Sequence, residues 1–166
     1  MMMRIEGGYF LDAIVRADAD AIVEHLQERA IYENTLRIPW PYTRADADNW
    51  LGHLDPLLTF AIREPGGRLI GAAGFHELSP AHKSEFGYWL ARPYWGRGIM
   101  TRIVSALVRH AFDELGLVRL TAEVFAHNVG SMRVLEKNRF GREGVLQKHI
   151  LKDGRFIDAV LYARLR

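Results

Sequence analysis

The stretch YWLARPYWGRGIMTRIVSALVRHAFDEL, residues 88–115, reads as a strand end, a glycine-bearing turn with a positive charge, and a long amphipathic helix. A strand that delivers the chain to a turn at a helix N-terminus points several backbone N–H groups at one place, and the helix dipole reinforces them. Such a place suits a phosphate or pyrophosphate. Gly96 and Gly98 let the backbone approach an anion with no Cβ in the way, and Arg97 adds a cation. Along the helix Ile99, Ile103, Leu107 and Ala111 fall on one face, and Arg102, Ser105, Arg109 and Asp113 on another. Gly116 stands where a helix-ending glycine is expected. A phosphate-bearing cofactor is the first expectation.

Working outward, Glu85 to Leu90 (EFGYWL) is the strand that feeds the turn, and Ser79-Pro80-Ala81-His82 breaks the chain before it. Upstream, Leu57 to Arg63 and Arg68 to Glu77 form a predicted hairpin around Pro65-Gly66-Gly67. Thr43 reads as the N-cap of a helix, TRADADNWLGHL, with Asp46 at capping-box distance. Asn34 to Tyr42, with two prolines and two aromatics, is an irregular loop. Tyr9 to Val15 is a first strand, and Asp18 or Asp20 caps a helix running to about Tyr32. Trp40, Tyr42 and Trp50 are read first as packing residues.

Downstream, Leu117 to Phe125 is a strand, Asn128 opens a short helix, and two strands from Phe140 onward turn at Lys152-Asp153-Gly154-Arg155. The order β-α-α-β-β-β-α-β-α-β-β gives an α+β chain on a mostly antiparallel sheet, with residues 1–166 as a single domain.

Composition narrows the function. The chain of 166 residues is 49% hydrophobic and 25% charged, with a formal net charge of +2. That balance is globular, and the absence of long basic runs argues against nucleic acid as a direct partner. With no cysteine, disulfides, thiolate metal sites and a cysteine acyl-enzyme are excluded. The seven histidines show no ligand spacing, so no metal is expected. No apolar run approaches eighteen residues and MMMRIEGGYF lacks a signal peptide's core, so a cytoplasmic protein with no membrane partner is expected.

Three phosphate-binding patterns compete at the turn. A Walker loop needs G-x-x-x-x-G-K-[ST], which does not occur. A dinucleotide fingerprint needs a third glycine where Thr101 stands, and βαβ flanks where hairpins are predicted. The third pattern extends far beyond the turn. Gly87-Tyr88-Trp89-Leu90, Pro93-Tyr94-Trp95-Gly96-Arg97-Gly98, Asn128-Val129-Gly130-Ser131, Arg133-Val134-Leu135-Glu136-Lys137, Phe140 with Glu143-Gly144, and Asp158 with Tyr162 are the residues that carry it. Upstream, Pro39-Trp40-Pro41-Tyr42-Thr43 and Gly71-Ala72-Ala73-Gly74-Phe75-His76 continue the pattern. In order and spacing this resembles the GNAT superfamily of N-acetyltransferases, especially the branch acetylating ribosomal-protein N-termini.

The resemblance implies a mixed, mostly antiparallel sheet of six to seven strands, flanked by about four helices and splayed at a central strand. It implies acetyl-CoA as co-substrate, with the pyrophosphate on Gly96, Arg97, Gly98, Ile99 and Met100 and the Thr101 hydroxyl in reach. The pantetheine arm would run beside the strand ending at Leu90, with oxyanion donors near Trp89 and Leu90. Ser131 would meet the leaving sulfur. Asn128 is an N-cap that also stands on the cofactor side. The base is open: a glutamate serves in related final hairpins, but Gln147-Lys148-His149-Ile150 contains none. Glu85 is the candidate taken as catalytic, with Glu77, His149 and His76 as alternatives.

The implied reaction is acetyl transfer to a primary amine by direct attack in a ternary complex, with a protein N-terminus as one acceptor. A polyamine, amino acid or antibiotic acceptor, or a non-catalytic acyl-CoA sensor, are the alternatives, and the resemblance admits a homodimer. The chain departs from the family pattern twice. Pro93 opens the turn, and Arg139 replaces the glycine before Phe140. The left-handed cap there falls on Arg139, at about 1 kcal/mol, or shifts by one residue to Asn138.

Overall fold

The computed structural model describes residues 2–166. Its strands are β1 (Met3–Arg4), β2 (Phe10–Ala13), β3 (Thr59–Arg63), β4 (Leu69–Ser79), β5 (Lys83–Leu90), β6 (Arg119–Phe125), β7 (Gly141–Lys152) and β8 (Arg155–Leu165). Its α-helices are α1 (Ala19–Leu26), α2 (Arg29–Tyr32), α3 (Arg44–His53), α4 (Ile99–Arg109) and α5 (Val129–Lys137). The eight strands make a mixed, mostly antiparallel sheet, one strand beyond the expected range. The surplus is β1, two residues long and paired with β2 as Met3↔Leu11 and Arg4↔Phe10. Two residues are too few for an alternation signal. The chain gathers into two compact units, Met1–Gly74 with Tyr88–Ile103 and Phe75–Gly87 with Val104–Arg166.

In the first unit β1, β2, β3 and β4 follow one another as antiparallel neighbours. Their core joins Ile14, Ile22, Leu26, Ile31, Tyr42, Ala47, Leu69 and Trp89, with Trp50 packed against it. Tyr42 and Trp50 are thus packing residues, while Trp40 is 38% exposed and tilts against Tyr32. The predicted capping box forms: the Asp46 N–H donates to the Thr43 hydroxyl at 3.2 Å and the Thr43 N–H to the Asp46 carboxylate at 2.8 Å.

The helix expected to run to Tyr32 is split into α1 and α2, which accounts for the fifth helix. Glu28 takes an extended backbone (ψ 112) and caps α2 by accepting the Ala30 N–H. The Gln27 side chain meanwhile donates to the Tyr42 carbonyl. This contact comes from a loop fifteen residues away, so local periodicity did not show it.

Asp18 stands at the N-cap position of α1, but its carboxylate makes no bond to that helix's N–H groups. It is buried and receives both terminal nitrogens of Arg63, at 2.8 and 3.0 Å, and the Val15 N–H at 2.9 Å. Arg63 donates further to Asp12, to the Ala13 carbonyl at 3.1 Å and to the Gly67 carbonyl at 3.2 Å. One guanidinium therefore joins β2, β3, the turn before α1 and the β3–β4 turn.

In the second unit β5 pairs in parallel with β6, and β6, β8 and β7 continue antiparallel. The β5–β6 ladder covers only Lys83↔Arg119, Ser84↔Leu120 and Glu85↔Thr121, although both strands run on.

The α4 stripe Ile99, Ile103, Leu107 and Ala111 is at most 1% exposed. Past Arg109 the helix widens into a π turn, His110–Glu114, in which the Leu115 N–H reaches the His110 carbonyl five residues back. His110 is buried beside Phe75. Burial disfavours its charged form and pulls its pKa below the ordinary 6.5. As pH falls below 6.5 the unfolded chain takes a proton that the folded one resists. The contribution of a neutral His110, complete above that pH, is then lost down to the folded pKa. His110→Gln, which does not titrate, should flatten the fall in urea midpoint between pH 7 and 5.

Helix α5 ends in a Schellman cap. The Phe140 N–H donates to the Leu135 carbonyl at 3.1 Å and the Arg139 N–H to the Glu136 carbonyl at 2.9 Å. Arg139 itself takes φ +62, so the cap is not shifted to Asn138. Arg139→Gly should stabilise the chain by about 1 kcal/mol, raising Tm by about 2–4 °C in calorimetry.

Candidate functional site

The site residues named from the sequence fall in both units. In the first, β5 ends at Trp89 and Leu90, both largely buried. Gly71 on β4 faces this end, and a Cβ there would stand 2.5 Å from the Trp89 carbonyl and 3.2 Å from the Leu90 Cα. Only glycine allows so close an approach. The Ala91 N–H donates to the Ile70 carbonyl at 2.8 Å, and the chain then enters a short 3-10 turn, Arg92–Tyr94. The Trp95 indole N–H returns to the Leu90 carbonyl at 2.7 Å, tying the turn to the strand that feeds it.

Gly96 and Gly98 take φ +73 and +69, left-handed values that L side chains resist. A Cβ on Gly96 would meet nothing within 4 Å, so open space lies over that backbone. Helix α4 starts at Ile99, and its first ladder bond runs from the Arg102 N–H to the Gly98 carbonyl at 3.3 Å. Gly96, Arg97 and Gly98 are exposed, Ile99 and Met100 buried, and Thr101 half-buried. Arg97 lies over the Tyr94 ring at 5.6 Å, and Tyr94 donates to Glu64 at 2.7 Å. That bond holds the Tyr94 hydroxyl protonated, so its pKa is raised.

One residue of the turn was missed. Arg102 read as part of a polar helix face, but its Nη1 lies 3.5 Å from where a Gly98 Cβ would stand, and its Nε is buried with no hydrogen-bond partner. A buried donor left unmade costs about 1–3 kcal/mol, and Nη1 is the Arg102 atom that stands by the turn, where an anion would meet it. Left-handed glycines, the opening of a helix and two arginines fit a phosphate group.

The second unit holds Glu85, Asn128 and Ser131. Glu85 is half-buried at the last β5–β6 pair. Asn128 is the N-cap of α5, and its side-chain oxygen accepts the Ser131 N–H at 3.1 Å. Ser131, half-buried, sits in the first turn.

The final hairpin carries a feature that its sequence concealed. Leu146 pairs with Ala159 and Ile150 with Ile157, so Gln147, Lys148 and His149 bulge opposite Asp158 alone. Lys148 adopts φ +50 and donates its N–H to the Asp158 carboxylate at 2.7 Å. Ile150 is buried with Phe125 and Ala159, which fixes the bulge, and the His149 Nε2 reaches the Glu123 carboxylate at 3.1 Å. No carboxylate lies within 147–150, yet the fold brings two to it, from β6 and β8. Among the described residues no cluster of His, Asp or Glu is placed to hold a metal, and no helix is long and apolar enough to cross a membrane.

The profile of the Acetyltransferase (GNAT) domain matches residues 10–141. Over 96 residues the chain is 38% identical to the uncharacterized N-acetyltransferase YoaA of Bacillus subtilis (strain 168), covering 57% of this chain and 54% of that protein. Over 98 residues it is 33% identical to the ribosomal-protein-serine acetyltransferase of Escherichia coli (strain K12), covering 58% and 55%. The chain thus spans about half the length of the curated relatives it matches. A solved structure of RimL, a ribosomal L7/L12 alpha-N-protein acetyltransferase in complex with coenzyme A, superimposes with a TM-score of 0.88. That alignment covers 99% of this chain and 98% of the other at 20% identity, a likeness of fold.

Proposed function

Because the chain belongs to the acetyltransferase (GNAT) family, we propose that it is an N-acetyltransferase that moves the acetyl group of acetyl-CoA to a primary amine, a protein N-terminal α-amino group in particular. The observation that carries this reading is the Gly96–Gly98 turn, with two left-handed glycines at the start of α4 and the Arg102 Nη1 beside it. The acceptor rests on the relatives: one is a ribosomal-protein-serine acetyltransferase and one structural neighbour an alpha-N-protein acetyltransferase.

On this reading the N–H groups of Gly96 to Met100, Arg97 and the Thr101 hydroxyl hold the pyrophosphate. Trp89 and Leu90 border the pantetheine arm, and Asn128 holds the first turn of α5 for it. Since Trp95 already occupies the Leu90 carbonyl, that oxygen is a poor partner for the arm, and the strand's N–H groups serve instead. With no cysteine to carry an acyl group, the amine attacks the thioester directly. Ser131 donates a proton to the departing sulfur, and Glu85 offers a carboxylate at the last β5–β6 pair.

The test is thiol release from acetyl-CoA over a panel of peptide N-termini, polyamines and aminoglycosides. Turnover with the peptides supports the acceptor class, and turnover with the small amines alone replaces it. Calorimetry at millimolar acetyl-CoA with no heat of binding would sink the cofactor itself. Ser131→Ala is expected to lower kcat about 10²-fold while the acetyl-CoA affinity stays within about twofold. Unchanged turnover would return Ser131 to the helix cap.

A further inference from the structure

The second unit has two unlike faces. Ala122 pairs with Tyr162 and Glu123 with Leu161, and neighbours along a strand point to opposite sides. The Tyr162 hydroxyl donates to Glu136 of α5 at 2.8 Å, so α5, and Ser131 with it, lies over the face of Ala122 and Tyr162. Glu123 projects from the other face. It stands two residues beyond the last β5–β6 pair, Glu85↔Thr121. The bulge 147–149 is held on that same face, because Ile150 packs on Phe125 and Ala159, which pair with each other on Glu123's side. There the His149 Nε2 meets the Glu123 Oε2 at 3.1 Å.

We propose that His149, oriented by Glu123, is the proton acceptor for the incoming amine, on the face opposite the Ser131 helix. This rests on the acetyltransferase reading and gives the amine's proton to a group other than Glu85. A carboxylate only accepts hydrogen bonds, so it fixes the imidazole as the tautomer with hydrogen on Nε2 and leaves the Nδ1 lone pair for the substrate. An ammonium gives one proton to Nδ1 and becomes the nucleophile. Its nitrogen bonds to the thioester carbon as the C–S bond breaks, and Ser131 delivers a proton to the sulfur from the opposite face. The second proton lost by the nitrogen replaces the one that serine gave. The products are an amide, the thiol of CoA and one proton, which leaves to solvent through the half-exposed imidazole.

The carboxylate that meets the ring is Glu123 from β6; in the bulge beside it lie Lys148 on its own strand and Asp158 from β8. Asp158 is engaged by the Lys148 N–H, and its carbonyl accepts the Ala126 N–H at 2.9 Å, so it shapes the bulge. Glu85 pairs with Thr121 and shares this face, which makes it the rival. It lies within the ladder, whereas the Glu123–His149 pair lies past its end.

The test compares His149→Gln, Glu123→Gln and Glu85→Gln as purified full chains, with a peptide N-terminus as acceptor. His149→Gln should lower kcat about 10²-fold at pH 7, with acetyl-CoA affinity unchanged by calorimetry. The deficit should shrink as pH rises to 9, because an α-amine with pKa near 8 is then neutral by itself, and added imidazole should restore part of it. Glu123→Gln, which orients but does not accept the proton, should lose about tenfold without a change in KM. A His149→Gln enzyme within twofold of wild type would overturn the proposal, as would a deficit that ignores both pH and imidazole, or a larger loss from Glu85→Gln. Each of those results requires a working wild type, so none is confused with failure of the acetyltransferase reading, in which the wild type itself releases no thiol.

Discussion

Replacing Arg63 by methionine is expected to lower the unfolding free energy by about 3–5 kcal/mol, the range for breaking a buried ion pair from one side. Methionine keeps an apolar stem but no donor, and it strands the carboxylate of Asp18, whose side chain is 9% exposed. The partly exposed Asp12 and the carbonyls of Ala13 and Gly67 lose donors as well. A buried oxygen without a partner costs more than the net value of the bond it had. In urea, at about 1–3 kcal/mol per molar, the midpoint should fall by about 2 M. Adding Asp18→Leu to Arg63→Met should recover much of the loss, since removing both members leaves no uncompensated charge there. A loss below about 1 kcal/mol from the single variant would mean that water reaches Asp18 once the arginine is gone.

The second large effect belongs to the turn. Gly98→Val is expected to weaken acetyl-CoA binding about 10²-fold, and Gly96→Val by at least tenfold. A left-handed backbone costs a side-chain-bearing residue about 1–2 kcal/mol, and most for a β-branched one. Valine relieves that strain by leaving the left-handed region, which turns the neighbouring peptide N–H away from the anion. Binding must then restore the strain or forgo one or two bonds to a charged group, each worth about 1.5–3 kcal/mol. Forgoing two such bonds at the lower figure costs about 3 kcal/mol, or about a hundredfold in Kd. Gly66→Ala is the control: this glycine has no left-handed φ, and a Cβ there would meet nothing within 4 Å. Calorimetry with acetyl-CoA reads all three. Unchanged affinity in Gly98→Val would remove the turn from the site.

Much of this architecture is written in local patterns. The Thr43–Asp46 box, the Asn128 cap, the buried α4 stripe and the glycine turn each follow from residues within a few positions of one another, and each forms as expected. What escaped notice depends on contacts between distant segments. The α1–α2 break needs Tyr42 to reach Gln27, and the loss of Asp18 as a cap needs Arg63, forty-five residues on. Arg102 looked like one more polar helix residue, because nothing in the sequence tells that its guanidinium comes to Gly98. Glu123 and His149 are twenty-six positions apart. They meet only because a three-residue bulge folds back across β8, and no local rule predicts which hairpin will bulge. Arg139 marks the opposite case, a position where the pattern asks for glycine and the fold imposes the left-handed backbone on arginine all the same.

The bulge has one more consequence, for the molecule among its own copies. β7 lies outermost in the second unit, and at twelve residues it would offer a neighbour a long row of backbone donors and acceptors. Gln147, Lys148 and His149 interrupt that row, and the left-handed Lys148 bends it, leaving 141–146 and 150–152 out of line with each other. The strand is thereby poorly suited to recruit another chain edge to edge, even though Leu151 and Phe156 beside it are 62% and 64% exposed. Straightening the hairpin by deleting the three residues would remove an imidazole and, at the same stroke, create a surface prone to aggregate.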